Sequence, residues 1–399
     1  MMNQDKKLLK KIEQKKKKRK ELEIVGTSGL EENLKAISDA LDEYYFTEKL
    51  KTYCAHLSYT KIINKKAIKY KMIDFRLINS ILHVIDIFEF SNPVIYFYNE
   101  IRKLYENIDE NDDHELIKFD KLLSGIKNYS LRLSIEDAEE LLSFLANFCV
   151  RKLNENKKEY LNRYFLISNL LLNIRFNTKT GKSIKIPPNV FKNMVVTALK
   201  IADELDFSTI ETVGIIPDNP SGFSDAYEWV EKFIDSFKKN LDKKGFDNYY
   251  PYCSALLEFK RGNYIKAYRT LYEKRKGTRG VFINLDIKTL FLRILFEIYI
   301  TKPQILEYDE IDIEKTFDTL RSLLRDEASR KKQLSYQLKF YTDFADLYKK
   351  LYKFFNRYTL AYKKKNSLFE KEKNQLLSEI ENTKYSYKKW FLQKVKSIK

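Results

Sequence analysis

The sequence predicts an all-α protein, and three observations lead to that fold class. Glycine and proline number only 10 and 7 among 399 residues, so the chain is poor in the residues that form tight β-turns. Apolar residues recur three and four positions apart along most of the chain, which is the period of an amphipathic helix. Such segments amount to roughly fourteen helices, and no segment shows a convincing strand pattern.

The first 26 residues are predicted to form a basic N-terminal segment. Residues 1–23 hold ten basic and four acidic side chains, with only one helical turn of apolar residues. Such a charged run is typical of a disordered tail or a lone solvated helix. A long helical tract follows, in which Leu34, Ile37, Leu41 and Tyr45 keep the helical spacing.

Helical segments joined by short connections follow this tract. Segment 73–90 is nearly continuous apolar helix, and Ser91-Asn92-Pro93 interrupts it because proline disfavours helix at the residue before it. Pro93 can then occupy the first turn of the helix at 93–106. Ser134 is a suitable N-cap for the helix at 134–153, with acidic residues in its first turn.

The rest of the chain, from residue 159 onward, repeats this alternation of helices and short loops. The stretch at 206–222 is the richest in glycine, proline and serine, and it is the best candidate for a linker or loop insertion. Further helices are predicted at 159–174, 188–205, 224–241, 249–275 (a helix pair), 284–300, 312–328, 331–356 and 367–396.

Consecutive helix pairs of about 35–45 residues favour an α-solenoid of antiparallel pairs. The stretch "SALLEFKRGNYIKAYRTL" at 254–271 fits one tetratricopeptide (TPR) repeat at its Gly262-Asn263-Tyr264 turn, at Ala267 and at Leu271. Ser254 and Lys274 depart from that pattern, so a generic helical hairpin is the alternative. We predict a TPR-like, right-handed superhelical array over 27–365, with a loop insertion near 206–222 and a C-terminal capping helix over 366–399.

Four stretches, in their order along the chain, resemble a family of uncharacterised bacterial TPR-like helical-repeat proteins. The resemblance covers roughly residues 30–397 and includes the closing "ENTKYSYKKWFLQKV". Members often carry additional helices before the first of these stretches, where this chain has only its Lys-rich segment. The stretches are "ALDEYYFTEKLKTYCAHL" (40–57), "NPVIYFYNEI" (92–101), "YCSALLEFKRGNYIKAYRTL" (252–271) and "FINLDIKTLFLRILFEIY" (282–299).

The resemblance implies an α-solenoid fold and an intracellular location, with no catalytic residue and no known ligand. By the family's register, Tyr252, Phe259 and Lys260 would fall on the groove side of the array and contact a partner protein. The expected function is therefore a non-catalytic protein–protein interaction scaffold, because solenoids offer extended concave binding surfaces. The identity of the protein partner and the oligomeric state are left open.

The net charge of +18 supports an alternative function, binding to nucleic acid. The Lys-rich N-terminus and the basic-aromatic segment 348–365 would track phosphates and stack on bases. Against this, the 74 basic residues comprise 58 lysines and only 16 arginines, although arginine is the better reader of phosphates and bases. The spacing of Leu351, Phe354, Phe355 and Tyr358 instead favours an amphipathic helix with a core-facing side.

No catalytic, cofactor or metal site can be assembled from the sequence, so we predict a protein that is not an enzyme and has no cofactor. Cys54, Cys149 and Cys253 lie far apart and suit small core positions in a reducing cytoplasm. His83 lies in an apolar helix and suits a core position. Two motif-like stretches lack essential residues: "TKTGKS" (178–183) is missing the first glycine of a P-loop, and "DENDD" (109–113) is missing the glycine and glutamate of a calcium loop.

The sequence predicts neither secretion nor a membrane span. No apolar segment of signal-peptide length follows the basic N-terminus. The most apolar stretch, "LRILFEIYI" at 292–300, is far shorter than the roughly 18 residues that cross a bilayer. A cytoplasmic protein is the expectation.

Overall fold

A computed structural model describes most of the chain, and its regular structure is helical. The described ranges are 30–63, 80–85, 92–107, 114–130, 132–177, 185–204, 225–272, 280–330, 335–360, 367–383 and 387–398. Within these ranges no strand occurs, which confirms the all-α prediction. The basic segment 1–26, the loop 206–222 and the two motif-like stretches at 109–113 and 178–183 lie outside them.

The chain divides into two compact units. The first comprises Met1–Thr180 with Glu211–Ile215, and the second comprises Gly181–Ile210 with Ile216–Lys399. The helices of the first unit are α1 (Leu30–Ile63), α2 (Pro93–Glu106), α3 (Glu115–Tyr129), α4 (Ile135–Asn154) and α5 (Tyr160–Asn177), with a further helical stretch at 80–85.

Helix α4 lies at the centre of the first unit and packs against α1, α2, α3 and α5. Its start is fixed as the sequence predicts, because the Ser134 hydroxyl accepts a hydrogen bond from the Asp137 backbone N–H at 3.0 Å. Phe148 of α4 is fully buried among aromatic rings of α2, α3 and α5. Its ring centroid lies 5.6 Å from those of Tyr105 and Phe119 and 5.9 Å from that of Tyr160. These rings hold the unit together.

The second unit contains ten described α-helices. They are α6 (Pro188–Glu204), α7 (Ala226–Phe237), α8 (Lys243–Lys260), α9 (Tyr264–Tyr272), α10 (Val281–Thr301), α11 (Gln304–Tyr308), α12 (Ile313–Arg330), α13 (Ser335–Phe355), α14 (Ser367–Asn382) and α15 (Lys388–Ser397). Short 3₁₀ and π-helical extensions follow α7 and α13.

Helices α6, α8 and α10 pack in succession, each against the next of the three. The intervening helices α7 and α9 pack against both of their neighbours in the chain. The turn between α8 and α9 depends on Gly262, whose φ of +80° places it in the left-handed region that favours glycine after a helix. Helix α10 is the most buried of these helices and also contacts α12 and α13.

The C-terminal region differs from its prediction, because the expected single helix over 367–396 is two helices. Helix α14 ends at Asn382 and α15 begins at Lys388. The two pack against each other, and Lys373 of α14 donates a hydrogen bond to the Ile398 carbonyl at 2.9 Å. The break allows α15 to turn back, so that Trp390, Phe391 and Val395 are buried instead of continuing into solvent.

The aromatic cluster of the first unit predicts a large effect of one truncation. Phe148→Ala should lower the free energy of unfolding by about 3–5 kcal/mol, since it removes a fully buried ring from a packed core. Denaturant unfolding followed by circular dichroism measures the change. Tyr96→Ala, which truncates a ring that is 50% exposed in the same unit, is the control and should cost less than about 1 kcal/mol. Equal effects of the two variants would contradict the assignment of this cluster as the core.

Candidate partner-binding site

Helix α10 carries three buried charged residues on one face. Asp286, Arg293 and Glu297 are seven and four positions apart, a spacing that places their side chains in one row along a helix. Their exposed fractions are only 7%, 3% and 2%. A buried charge is costly unless it is paired or hydrogen-bonded. The row therefore dictates which side chains can pack against this face of α10.

Glu297, at the C-terminal end of the row, binds two side chains of helix α15. The Trp390 indole N–H donates to Glu297 Oε1 at 2.6 Å, and the Lys394 ammonium donates to Glu297 Oε2 at 2.6 Å. Trp390 and Lys394 are four residues apart, so both project from one face of α15. Both oxygens of a carboxylate that is almost fully buried are thereby satisfied by α15.

The middle of the row is an arginine between aromatic rings. The Arg293 guanidinium lies 4.4 Å from the ring centroids of Phe259 and Tyr387 and 5.4 Å from that of Trp390. Burial lowers the pKa of Arg293, while neighbouring tyrosine and carboxylate groups act in the opposite direction. Arginine stays protonated in proteins, so this charge is retained and is stabilised by cation–π contacts.

The three residues that the family resemblance places in the groove are covered by the chain's own C-terminal region. Tyr252 and Phe259 are only 4% and 6% exposed. The rings of Phe259 and Tyr387 both contact the Arg293 guanidinium. Lys260 is ion-paired with Asp203 at the end of α6. All three residues lie on helix α8, and Tyr252 and Phe259 offer almost no surface to a separate partner. Their role as partner contacts stays a prediction.

Helix α15 also contacts the C-terminal end of α6, at Asp203. Lys389 donates a hydrogen bond to the Asp203 carbonyl at 2.7 Å, next to the Lys260 ion pair. Burial lowers the pKa of Lys260, and the bond to Asp203 partly offsets this. The sequence did not reveal this cover, because Lys389 lies 186 residues from Asp203 in the chain.

The N-terminal end of the row opens into a pocket of about 500 Å³ with Asp286 in its lining. Lys192 of α6 donates to Asp286 Oδ2 at 2.7 Å, and the Tyr341 hydroxyl of α13 donates to Oδ1 at 2.7 Å. Burial and the neighbouring carboxylate of Asp286 raise the pKa of Tyr341, so this hydroxyl remains a donor. We call this cavity the Asp286 pocket; its lining is Asn189, Lys192, Asn193, Tyr249, Phe282, Ile283, Asp286, Phe340, Tyr341 and Tyr387.

The Asp286 pocket combines aromatic walls with a polar rim. Five of its ten lining residues are tyrosine or phenylalanine, and they come from α8, α10, α13 and the residue before α15. Asn189 and Asn193 are exposed and lie one helical turn apart on α6. Sequence reasoning missed this pocket. The only signal was an aspartate inside an apolar helix, and a single residue of that kind does not identify its neighbours.

The described residues contain no cluster of metal-ligating side chains. Among them, no group of three or more His, Cys, Asp or Glu side chains is placed to hold a metal ion. Cys54, Cys149 and Cys253 are buried and free, as predicted, and burial raises the pKa of each thiol, which disfavours the nucleophilic thiolate. The expected core position of His83 is wrong. It is exposed on the outward side of the stretch that buries Ile81, Leu82 and Ile85.

The aromatic residues predicted to face the core in the 348–365 segment do so wherever they are described. Phe354, Phe355 and Tyr358 are 5%, 8% and 7% exposed, and Leu351 is fully buried. These rings are therefore not available to stack on bases. Residues 361–365 lie outside the described part of the chain.

Comparisons with protein-family models, curated proteins and solved structures found no match to this chain. Among the described helices, none is both long and apolar enough to cross a lipid bilayer.

The Glu297 contacts predict that a single charge removal loosens α15. Glu297→Gln should lower the free energy of unfolding by about 2–4 kcal/mol, because it leaves the Lys394 ammonium without its buried counter-charge. Denaturant unfolding measures the cost, and tryptophan fluorescence should change as well, since Trp390 is one of only two tryptophans.

A matched variant controls for the loss of a carboxylate as such. Glu379 pairs with Lys350 on the surface, where its side chain is 33% exposed. Glu379→Gln should cost less than about 1 kcal/mol. The assignment of Glu297 as the residue that holds α15 fails if both variants unfold alike.

Proposed function

We propose that this protein is a non-catalytic protein–protein interaction scaffold and that the Asp286 pocket receives a segment of its partner. One observation carries the proposal: half of the residues that line an accessible pocket in the second unit are aromatic, and two exposed carboxamides edge it. Binding sites in proteins are typically concave and aromatic, with a few polar groups that fix orientation. The proposal includes a TPR-like α-solenoid architecture for the second unit.

The packing order of the helices supports the solenoid part of the proposal. In a helical-repeat array the first helix of each pair packs on the first helix of the next, and α6, α8 and α10 have this relation. Helices α7 and α9 are then the second members of their pairs. The left-handed Gly262 forms the turn within one such pair, between α8 and α9.

The chemistry of the Asp286 pocket suits a peptide segment. Tyrosine and phenylalanine provide large, rigid contact areas and are common among the residues that dominate binding energy at interfaces. The carboxamides of Asn189 and Asn193 each offer both donors and an acceptor, which matches the alternating N–H and C=O groups of a peptide main chain. Lys192 and Asp286 neutralise each other across 2.7 Å, so the pocket does not carry a strong net charge.

The alternative function, nucleic-acid binding, gains little from the described residues. The aromatic side of the 348–358 segment is buried, as described above. Two of its cations are also engaged, Lys350 with Glu379 and Arg357 with Glu372. These pairs reduce the positive charge that a phosphate backbone would meet.

Selection from a library tests the proposed function directly. Linear peptides displayed as random 12-mers would be selected on the immobilised full chain, and the enriched peptides measured by fluorescence anisotropy. We expect enriched peptides to lose about tenfold or more in affinity for the double variant Asn193→Ala/Phe340→Ala, which removes a rim amide and a rim ring of the pocket.

The control is Tyr308→Ala. Tyr308 is 89% exposed and lines a different cavity of the second unit, together with Tyr272 and Arg269. Its removal should leave peptide affinity unchanged. Either a library without enriched peptides or peptides indifferent to the pocket variant would overturn the proposed function.

A further inference from the structure

We propose that the Asp286 pocket selects an arginine side chain of the partner segment, with the guanidinium bound between the aromatic walls and the Asp286 carboxylate. The inference rests on the proposed function, since it names the group that the partner inserts. Three observations support it: the unused capacity of Asp286, the aromatic walls, and a neighbouring arginine held in the same way by one of those walls.

The Asp286 carboxylate already binds one cation, the Lys192 ammonium. Its carboxylate has about four lone-pair directions, and two are taken by the Lys192 ammonium and the Tyr341 hydroxyl. The side chain of Asp286 is 10% exposed, so the carboxylate is sheltered but still reachable from the pocket. A charge-assisted bond formed in such a site is stronger than the same bond on an open surface.

The aromatic walls favour a planar cation. Tyr249, Phe282, Phe340, Tyr341 and Tyr387 line the pocket around Asp286. A cation near aromatic faces is stabilised by the negative charge of the ring face, and the planar guanidinium can also stack on a ring, which a compact ammonium cannot. The walls thus favour arginine over lysine.

Tyr387 shows this mode of recognition within the protein. Its ring lines the Asp286 pocket and lies 4.4 Å from the guanidinium of Arg293, which is the next charge in the α10 row. The charge of Arg293 is opposed by Glu297 and Asp203, which reduces its repulsion toward a second cation in the pocket. A partner arginine would extend the row of alternating charges and rings along α10.

Lys192 is the internal cation that a partner arginine would replace. Its side chain is 21% exposed, and its flexible stem allows the ammonium to swing into solvent when a stronger partner for Asp286 arrives. The two members of this ion pair should therefore affect arginine binding in opposite directions. Replacing Asp286 removes the carboxylate that would bind the partner arginine. Replacing Lys192 removes the ammonium that competes with the arginine for this carboxylate.

The experiment uses the peptides enriched on the full chain in the library selection. We expect each to contain an arginine whose exchange for citrulline, which has the same shape without the charge, lowers affinity about tenfold or more for the unmodified protein. Asp286→Asn should lower affinity for the arginine peptide to that of the citrulline peptide. Lys192→Met should raise affinity for the arginine peptide about three- to tenfold and leave the citrulline peptide unchanged.

The outcomes separate this inference from the proposed function. Peptides that need the pocket but tolerate citrulline would overturn the arginine inference and leave the scaffold proposal intact. If Asp286→Asn and Lys192→Met both weaken binding, the ion pair supports the pocket structurally and the inference is wrong. The citrulline exchange and the sign of the Lys192→Met effect decide the question even if Asp286→Asn fails to fold.

Discussion

The second unit depends on one constraint, which is that three buried charges on a largely apolar helix, α10, must be accommodated away from water. Asp286, Arg293 and Glu297 cannot be buried against aliphatic side chains without a large cost in desolvation. Each is instead met by a different set of groups: a lysine and a tyrosine hydroxyl, a set of aromatic rings, and the indole and ammonium groups of α15. Because these groups come from α6, α8, α13 and α15, the charge row of α10 determines where those helices lie.

The same constraint links stability to the candidate site. At Glu297 both carboxylate oxygens are occupied by α15, so that end of the row is closed and structural. At Asp286 the partners are a partly exposed lysine and a tyrosine beside an accessible cavity, so that end is open. The row therefore ends in the packed core at Glu297 and in an accessible cavity at Asp286. Tyr387 belongs to both, because it stacks on Arg293 and lines the pocket.

The first unit is stabilised differently, by an apolar core in which aromatic rings pack around Phe148. Its helix starts follow local rules that the sequence shows directly, as at Ser134 and at Asn92, whose side chain accepts from the Val94 N–H at 2.9 Å. The period of three and four predicted burial well over 351–358, but Leu34, Leu41 and Tyr45 keep the same period and are 50%, 46% and 42% exposed. The prediction of burial also failed at His83. A single polar residue in an apolar run can face either way, and only the packed neighbours decide which.

The sequence by itself determined the helical class, most helix positions, several caps and the core role of the cysteines, because these depend on interactions between residues close together in the chain. It determined neither the Asp286 pocket nor the cover over Tyr252, Phe259 and Lys260. Those features require contacts such as Lys192 with Asp286 and Trp390 with Glu297, whose partners are 94 and 93 residues apart. Pairings at that distance are set by the packing of whole helices. Only the tertiary structure therefore decided that the row on α10 is covered at Glu297 and accessible at the Asp286 pocket.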